Sequence, residues 1–101
     1  MKPIVTAIIY DKRGNVLSVG RNSYVKTHTL QAKFAAKTGN SEAIFLHAEM
    51  DAIIKCRRMD KAHKIAVFRY DANGNPANSA PCEICRRAIK ELTNIKIITH
   101  T

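Results

Sequence analysis

At 101 residues the chain is a single domain, 1–101, with no room for a separate cofactor domain. A hydrophobic content of 46% with 25% charged residues, and only four Gly and three Pro, excludes a disordered or low-complexity protein. Seventeen Lys and Arg against eight Asp and Glu leave a formal charge of +9, a field that favours nucleotides, polyanions or acidic partners without choosing among them.

The first element is the β-branched run "PIVTAIIY", closed by the turn formers of "DKRGN" and answered by "VLSVG", a hairpin. Its apolar stretch, Ile4 to Tyr10, is too short to span a bilayer and lacks a signal-peptide cleavage pattern, so a cytoplasmic protein with no membrane partner is expected. Leu30 and Phe34 stand at helical spacing in "HTLQAKFAAKTG", with Gly39 as a stop, which predicts a helix over 28–38. "LHAEMDAIIKCRRM" is a stronger helix with an apolar stripe of Ala52, Ile53 and Cys56. "KIAVFRY" is a third strand, followed by an Asn- and Gly-rich loop over 71–80. "CEICRRAIKEL" is a third helix whose Cys85, Ala88, Ile89 and Leu92 share a face, and "IKIITH" is a fourth strand.

Helices between the later strands predict an α/β fold with a mixed sheet whose last strands run parallel. Ile4 and Ile8 point to one side of the first strand, Val5 and Ile9 to the other, so both faces of the sheet need cover. The right-handed crossover rule puts the two strong helices on one face. The 28–38 helix or another subunit is left for the other, and a homo-oligomer is expected on that ground. Basic residues gather at Lys55, Arg57 and Arg58, at Lys61 and Lys64, and at Arg86, Arg87 and Lys90. Each cluster reads first as a solvated helix face and second as a binding patch.

Three cysteines are an odd number, and two form a C-x-x-C; in a reducing compartment this reads as metal or redox chemistry. Cys82 and Cys85, three apart at a helix start, face one way, and the helix N-terminus favours the thiolate that zinc requires. His47 and Glu49 would diverge by about 200° inside a regular helix. His47 must therefore stand at or before the helix start if both face one metal. Both half-sites open helices where the carboxyl ends of strands gather, and the 28–38 segment and the 71–80 loop should surround the same mouth. His47, Cys82 and Cys85 give three ligands, which leaves a tetrahedral Zn2+ one open position for water, with Glu49 as the carboxylate to take its proton. A structural site would need a fourth ligand from Cys56, His28, His63 or His100. Cys56 reads as core and the histidines as ordinary polar residues.

The hairpin, "GRN" after the second strand, "HAEMDAI" and "SAPCEICRRAIKEL" together resemble the zinc-dependent cytidine and deoxycytidylate deaminase superfamily over most of the chain. The resemblance implies a cytidine deaminase-like fold, zinc on His47, Cys82 and Cys85, and Glu49 as proton shuttle rather than ligand. It implies that Asn22 contacts the nucleoside and that the backbone around Ala48 and the segment Ser79, Ala80 and Pro81 grip the base edge. The implied reaction is hydrolytic attack at C4 of cytosine with release of ammonia. Aromatic packing on the base falls to Phe34, Phe45 or Tyr24, each of which reads equally as core.

Nucleoside-type enzymes usually carry Cys where this chain has His47, whereas His is similar to deoxycytidylate and tRNA adenosine deaminases. Tyr24 stands where the nucleoside enzymes hold the sugar with Glu, which counts against a free nucleoside. The family's leading helix and C-terminal elements have no counterpart, so a lid is expected from residues 23–45 or a neighbouring subunit. The leading expectation is a deaminase of a small nucleotide or nucleoside, deoxycytidine monophosphate first, with Lys26, Arg69 or Arg86 on the phosphate and Arg86 alternatively screening the thiolates. Deamination of cytosine or adenine in single-stranded DNA or RNA suits the +9 charge, although no basic and aromatic alternation marks a strand-tracking groove. A non-catalytic zinc-stabilised binding module is the third reading, and Glu49 speaks against it.

Overall fold

The structure is a computed structural model and describes residues 4–39, 45–71 and 73–101. Strands β1 (Val5–Tyr10) and β2 (Val16–Arg21) form the hairpin, followed by helices α1 (Thr29–Lys37) and α2 (Ala48–Lys55). A 3-10 turn at Met59–Lys61 leads into β3 (Lys64–Arg69), and then come α3 (Glu83–Leu92) and β4 (Ile97–His100). The sheet order is β2-β1-β3-β4, antiparallel except for the β3–β4 pair. The mixed sheet with parallel last strands therefore stands as expected.

The hairpin turn is built by Asp11, whose carboxylate accepts from Arg13 N and Asn15 N at 2.9 Å each, while Gly14 takes the positive φ of 88° that the turn requires. The same D-x-x-G-N pattern recurs after β3. There the Asp71 carboxylate accepts from Asn73 N and Asn75 N, and Gly74 N donates to Asp71 O. The second turn leads the chain back towards the carboxyl end of β3.

Ala7 and Ile9 of β1, with Ile65 and Val67 of β3 in register beside them, face the helices and are buried with Met50, Ile53, Ile84 and Ile89. Burying these side chains is the main stabilising contribution, on the order of 1.5–3 kcal/mol for each large one. Helix α2 lies directly on β2. A side chain at Gly20 would run into the backbone of Ala48 and Ala52, Ser18 Oγ donates to Ala52 O at 2.7 Å, and Arg21 N donates to the Asp51 carboxylate at 3.0 Å. These three contacts set the height and register of α2 on the sheet.

Helix α1 is not the cover for the opposite sheet face. It packs against α3, with Lys37 paired to Glu91 at 3.1 Å, and its buried Phe34 and Ala35 join the same core. Thr6, Ile8 and Phe68 on the opposite face are half-buried, and Val19 and Ile97 are exposed. The basic clusters are partly spent locally, since Lys55, Arg58 and Arg87 pair with Asp51, Asp60 and Glu91, the solvated-face reading. Among the described residues no helix is long and apolar enough to cross a membrane.

Candidate active site

The problem of His47 and Glu49 is solved by one residue of chain. Helix α2 begins at Ala48, one position later than His47, and leaves His47 as N-cap in an extended conformation (φ −82°, ψ 155°). Its ring is therefore free of the helical 100° step and turns to the cysteines. Cys82 is likewise the N-cap of α3, and Cys85 lies buried in its first turn. Neither His47 nor Cys82 makes a side-chain cap bond, so both stay available as donors.

His47 Nδ1 stands 3.3 Å from Cys85 Sγ and 3.4 Å from Cys82 Sγ, and the three donor atoms lie within 4.8 Å of one another. Tetrahedral zinc with ordinary Zn–N and Zn–S bonds would separate such nitrogen and sulfur atoms by about 3.6 Å. The donor set thus fits zinc in both chemistry and spacing. Among the described residues no fourth His, Cys or carboxylate joins the group, and Cys56 instead packs against the core at the end of α2. His28 is the N-cap of α1, its Nδ1 accepting from Leu30 N at 3.0 Å.

The sulfurs are electrostatically distinct. A hydrogen bond from the Cys85 thiol, supported by His47, holds the Cys82 thiol down at about 4, while that same bond and burial push the Cys85 thiol far up. Without metal the pair therefore shares one proton, with the charge on the exposed Cys82. The bond to Cys82 also raises the His47 imidazole above its ordinary value. In metal-free protein at about pH 6, iodoacetamide should alkylate Cys82 at least about tenfold faster than Cys56, and zinc should suppress the reaction; peptide mass mapping checks both.

Of these donors His47 and Cys82 line a cleft of about 410 Å³, within the range that takes small ligands, while Cys85 is buried. Glu49 lines it beside His47 and Cys82 and is only 5% exposed. Burial pushes its carboxyl above the ordinary 4.5, and among the described residues no cation pairs with it. A buried carboxylate beside a metal cluster, with no cation to hold it ionised, is poised to exchange protons.

The expected substrate residues divide. Asn22, Ala48, Ser79, Ala80 and Arg69 line the cleft. Asn22 is held by Val5 N donating to its Oδ1 at 2.9 Å, and Val5 is in register with Arg69. Ser79 contributes no free hydroxyl: its Oγ donates to Val67 O and lies 2.9 Å from Thr101 Oγ1, which clamps this rim to the end of β3. Pro81 is buried off the cleft, and its carbonyl accepts from Arg86 Nε at 3.1 Å. Lys26 and Arg86 are outside the lining, so Arg69 is the arginine brought to the mouth. Of the three aromatics, Tyr24 and Phe45 line the cleft and are about half exposed, whereas Phe34 is core.

The expected lid lies partly at 40–44, outside the described residues. Its ends are stitched together, with Ser23 N donating to Leu46 O and Leu46 N to Lys26 O. Helix α1 contributes no lining residue among those described, contrary to the expectation that it would flank the mouth. It instead reaches the site from behind, where the buried Gln31 accepts from His47 N at 3.3 Å. Gln31 was legible only as a polar residue on the face shared by Phe34 and Ala35, and Gly20 only as a lone glycine in a strand.

The family profile described as the cytidine and deoxycytidylate deaminase zinc-binding region matches residues 1–101. Among solved structures, cytidine deaminase from Burkholderia pseudomallei is similar with a TM-score of 0.61 and 20% identity, covering 99% of this chain and 69% of that one. Cytidine deaminase from Mycobacterium tuberculosis follows with a TM-score of 0.58 and 18% identity, covering 98% and 68%. At these identities the likeness is one of fold. No curated protein matches the chain.

Proposed function

The chain belongs to the cytidine and deoxycytidylate deaminase family, and from that premise we propose that it is a zinc-dependent hydrolytic deaminase of cytosine in a small nucleotide, deoxycytidine monophosphate first. The observation that carries the reading is the buried Glu49 on the cleft wall, beside His47 and Cys82 of the three-donor cluster. A structural metal site has no use for such a carboxylate and would close its fourth position with a protein ligand.

His47, Cys82 and Cys85 hold the zinc, which when bound supplies the Lewis acidity that makes water nucleophilic near neutral pH. Glu49 takes the proton of the attacking water and delivers it to N3 of the ring as C4 gains oxygen. It then passes the second proton to the departing amine, so that the C4–N bond breaks, ammonia leaves and uracil remains. Burial serves both halves of this cycle, because a raised carboxyl accepts and returns protons with little bias. Asn22 and the backbone at Ala48 and Ala80 orient the nucleotide, Tyr24 and Phe45 pack on it, and Arg69 takes the phosphate as a bidentate partner. The half-open apolar sheet face supports a homo-oligomer, and the lack of a spanning helix among the described residues is in keeping with a cytoplasmic enzyme.

One competition assay tests the substrate. Zinc-loaded protein receives deoxycytidine monophosphate and a cytosine-containing single-stranded oligonucleotide in one tube, and mass spectrometry scores the gain of about one dalton on deamination. Conversion of the mononucleotide alone is the expected result. Conversion of the oligonucleotide alone would turn the +9 surface into a strand-binding site and overturn the small-nucleotide reading.

A further inference from the structure

We propose that Gln31 is a positioning residue for the metal centre, holding the backbone of His47 so that its ring meets both cysteine sulfurs. The inference rests on the zinc reading of the site.

Gln31 is fully buried, and a buried amide is costly to desolvate where Leu or Met would pack as well. Its Oε1 accepts the His47 N–H at 3.3 Å. That N–H has no partner within α2, because His47 precedes the helix as its N-cap. The His47 carbonyl accepts from Asp51 N at 2.9 Å, so the two bonds fix the peptide groups on both sides of the residue. With its main chain held on both sides, the ring retains only its own side-chain rotations in placing Nδ1 3.3 and 3.4 Å from the sulfurs.

The place of α1 gives the bond its wider meaning. Helix α1 is tied to α3 by the Lys37–Glu91 ion pair and by Arg87 donating to Lys37 O at 3.4 Å. Helix α3 carries Cys85 and is capped by Cys82. Gln31 thus links the histidine half of the site to the helix pair that holds the cysteine half, although the two halves lie 35 residues apart in the chain. Partners that orient a metal ligand from behind typically change metal affinity by about 10–100-fold when lost.

The test is a cobalt(II) titration of the metal-free chain, read as affinity and as the ligand-field absorption that reports tetrahedral geometry, with circular dichroism confirming the fold. Gln31→Met removes the acceptor at nearly constant volume, while Phe34→Leu loosens the packing of α1 and leaves the amide in place. Gln31→Met should weaken cobalt binding by about tenfold or more and alter the absorption. Phe34→Leu should lower the melting temperature but leave affinity and spectrum as in the parent chain. Should Gln31→Met not fold, Gln31→Asn, whose amide falls one methylene short, carries the same expectation. Unchanged affinity and spectrum in the Gln31 variant would overturn the proposal, as would an equal loss in Phe34→Leu. Failure of the parent chain to bind cobalt at all would instead remove the zinc reading on which the proposal rests.

Discussion

Replacing Glu49 with Gln is expected to cut ammonia release at least about a thousandfold while zinc and the fold are retained. The two side chains have nearly the same shape, so the cleft wall formed with His47 and Cys82 keeps its packing. Glutamine cannot take up the proton of water, and every proton transfer assigned to Glu49 is lost together. The pH dependence of the parent enzyme carries the same signature. Burial raises the Glu49 carboxyl above 4.5, so the basic form is lost as pH falls through that raised value, and activity falls with it earlier than for an exposed glutamate. The residual activity of Glu49→Gln should lack this acid limb. Stability runs the other way. Between 4.5 and the raised value the folded metal-free chain binds more protons at Glu49 than the unfolded chain, so folding stability declines as pH rises through that window. At neutral pH the charged carboxylate is therefore a liability to the fold. Removing it should leave the melting temperature of the metal-free protein equal or higher, the expected trade between activity and stability. A zinc-loaded, folded Glu49→Gln protein with undiminished turnover would move the chemistry to another group.

The His47, Cys82 and Cys85 cluster was legible in the sequence because each half-site is local. The C-x-x-C spacing at Cys82 and Cys85 and the helix-opening position of His47 depend only on neighbours along the chain. The Asp11 and Gly14 turn is legible for the same reason. What escaped depends on pairings between distant residues. Ser18 with Ala52, Arg21 with Asp51, and Gln31 with His47 are ordinary residues until the fold brings them together. Lys26, Arg69 and Arg86 looked alike as phosphate partners. Their difference arises from β3 ending in the cleft and from Arg86 being drawn to the Pro81 carbonyl. Helix α1 was recognisable from its spacing, but spacing says nothing about which apolar surface a helix will choose. The Lys37–Glu91 and Arg87–Lys37 contacts that hold it on α3 join residues 50 and 54 positions apart.

The second large effect is expected at Gly20, which touches no ligand and catalyses nothing. A Cβ there would stand inside contact distance of Ala48 O and Ala52 N and 2.8 Å from Ala52 Cα. All three are backbone atoms, so no side-chain rotation relieves the overlap and α2 must move off β2. Overpacking of a core costs about 1–3 kcal/mol, and a rigid backbone neighbour puts Gly20→Ala at the upper end. For a domain of this size that lowers the melting temperature by roughly 12–24 °C. The consequence extends to the site, because α2 presents Glu49 and starts from His47, whereas Cys82 and Cys85 belong to α3. Lifting one helix from the sheet separates the histidine from the sulfurs it now meets at 3.3 and 3.4 Å. Gly20→Ala should therefore lose zinc affinity along with stability. Gly14→Ala provides the comparison, since Gly14 has a φ of 88° but open space around its Cα, and its replacement costs only the left-handed conformation, about 1–2 kcal/mol. Thermal unfolding and zinc titration of the two variants separate the effects. If Gly14→Ala proves as damaging as Gly20→Ala, or Gly20→Ala keeps its zinc, the close seat of α2 on β2 is not what positions His47 against the cysteines.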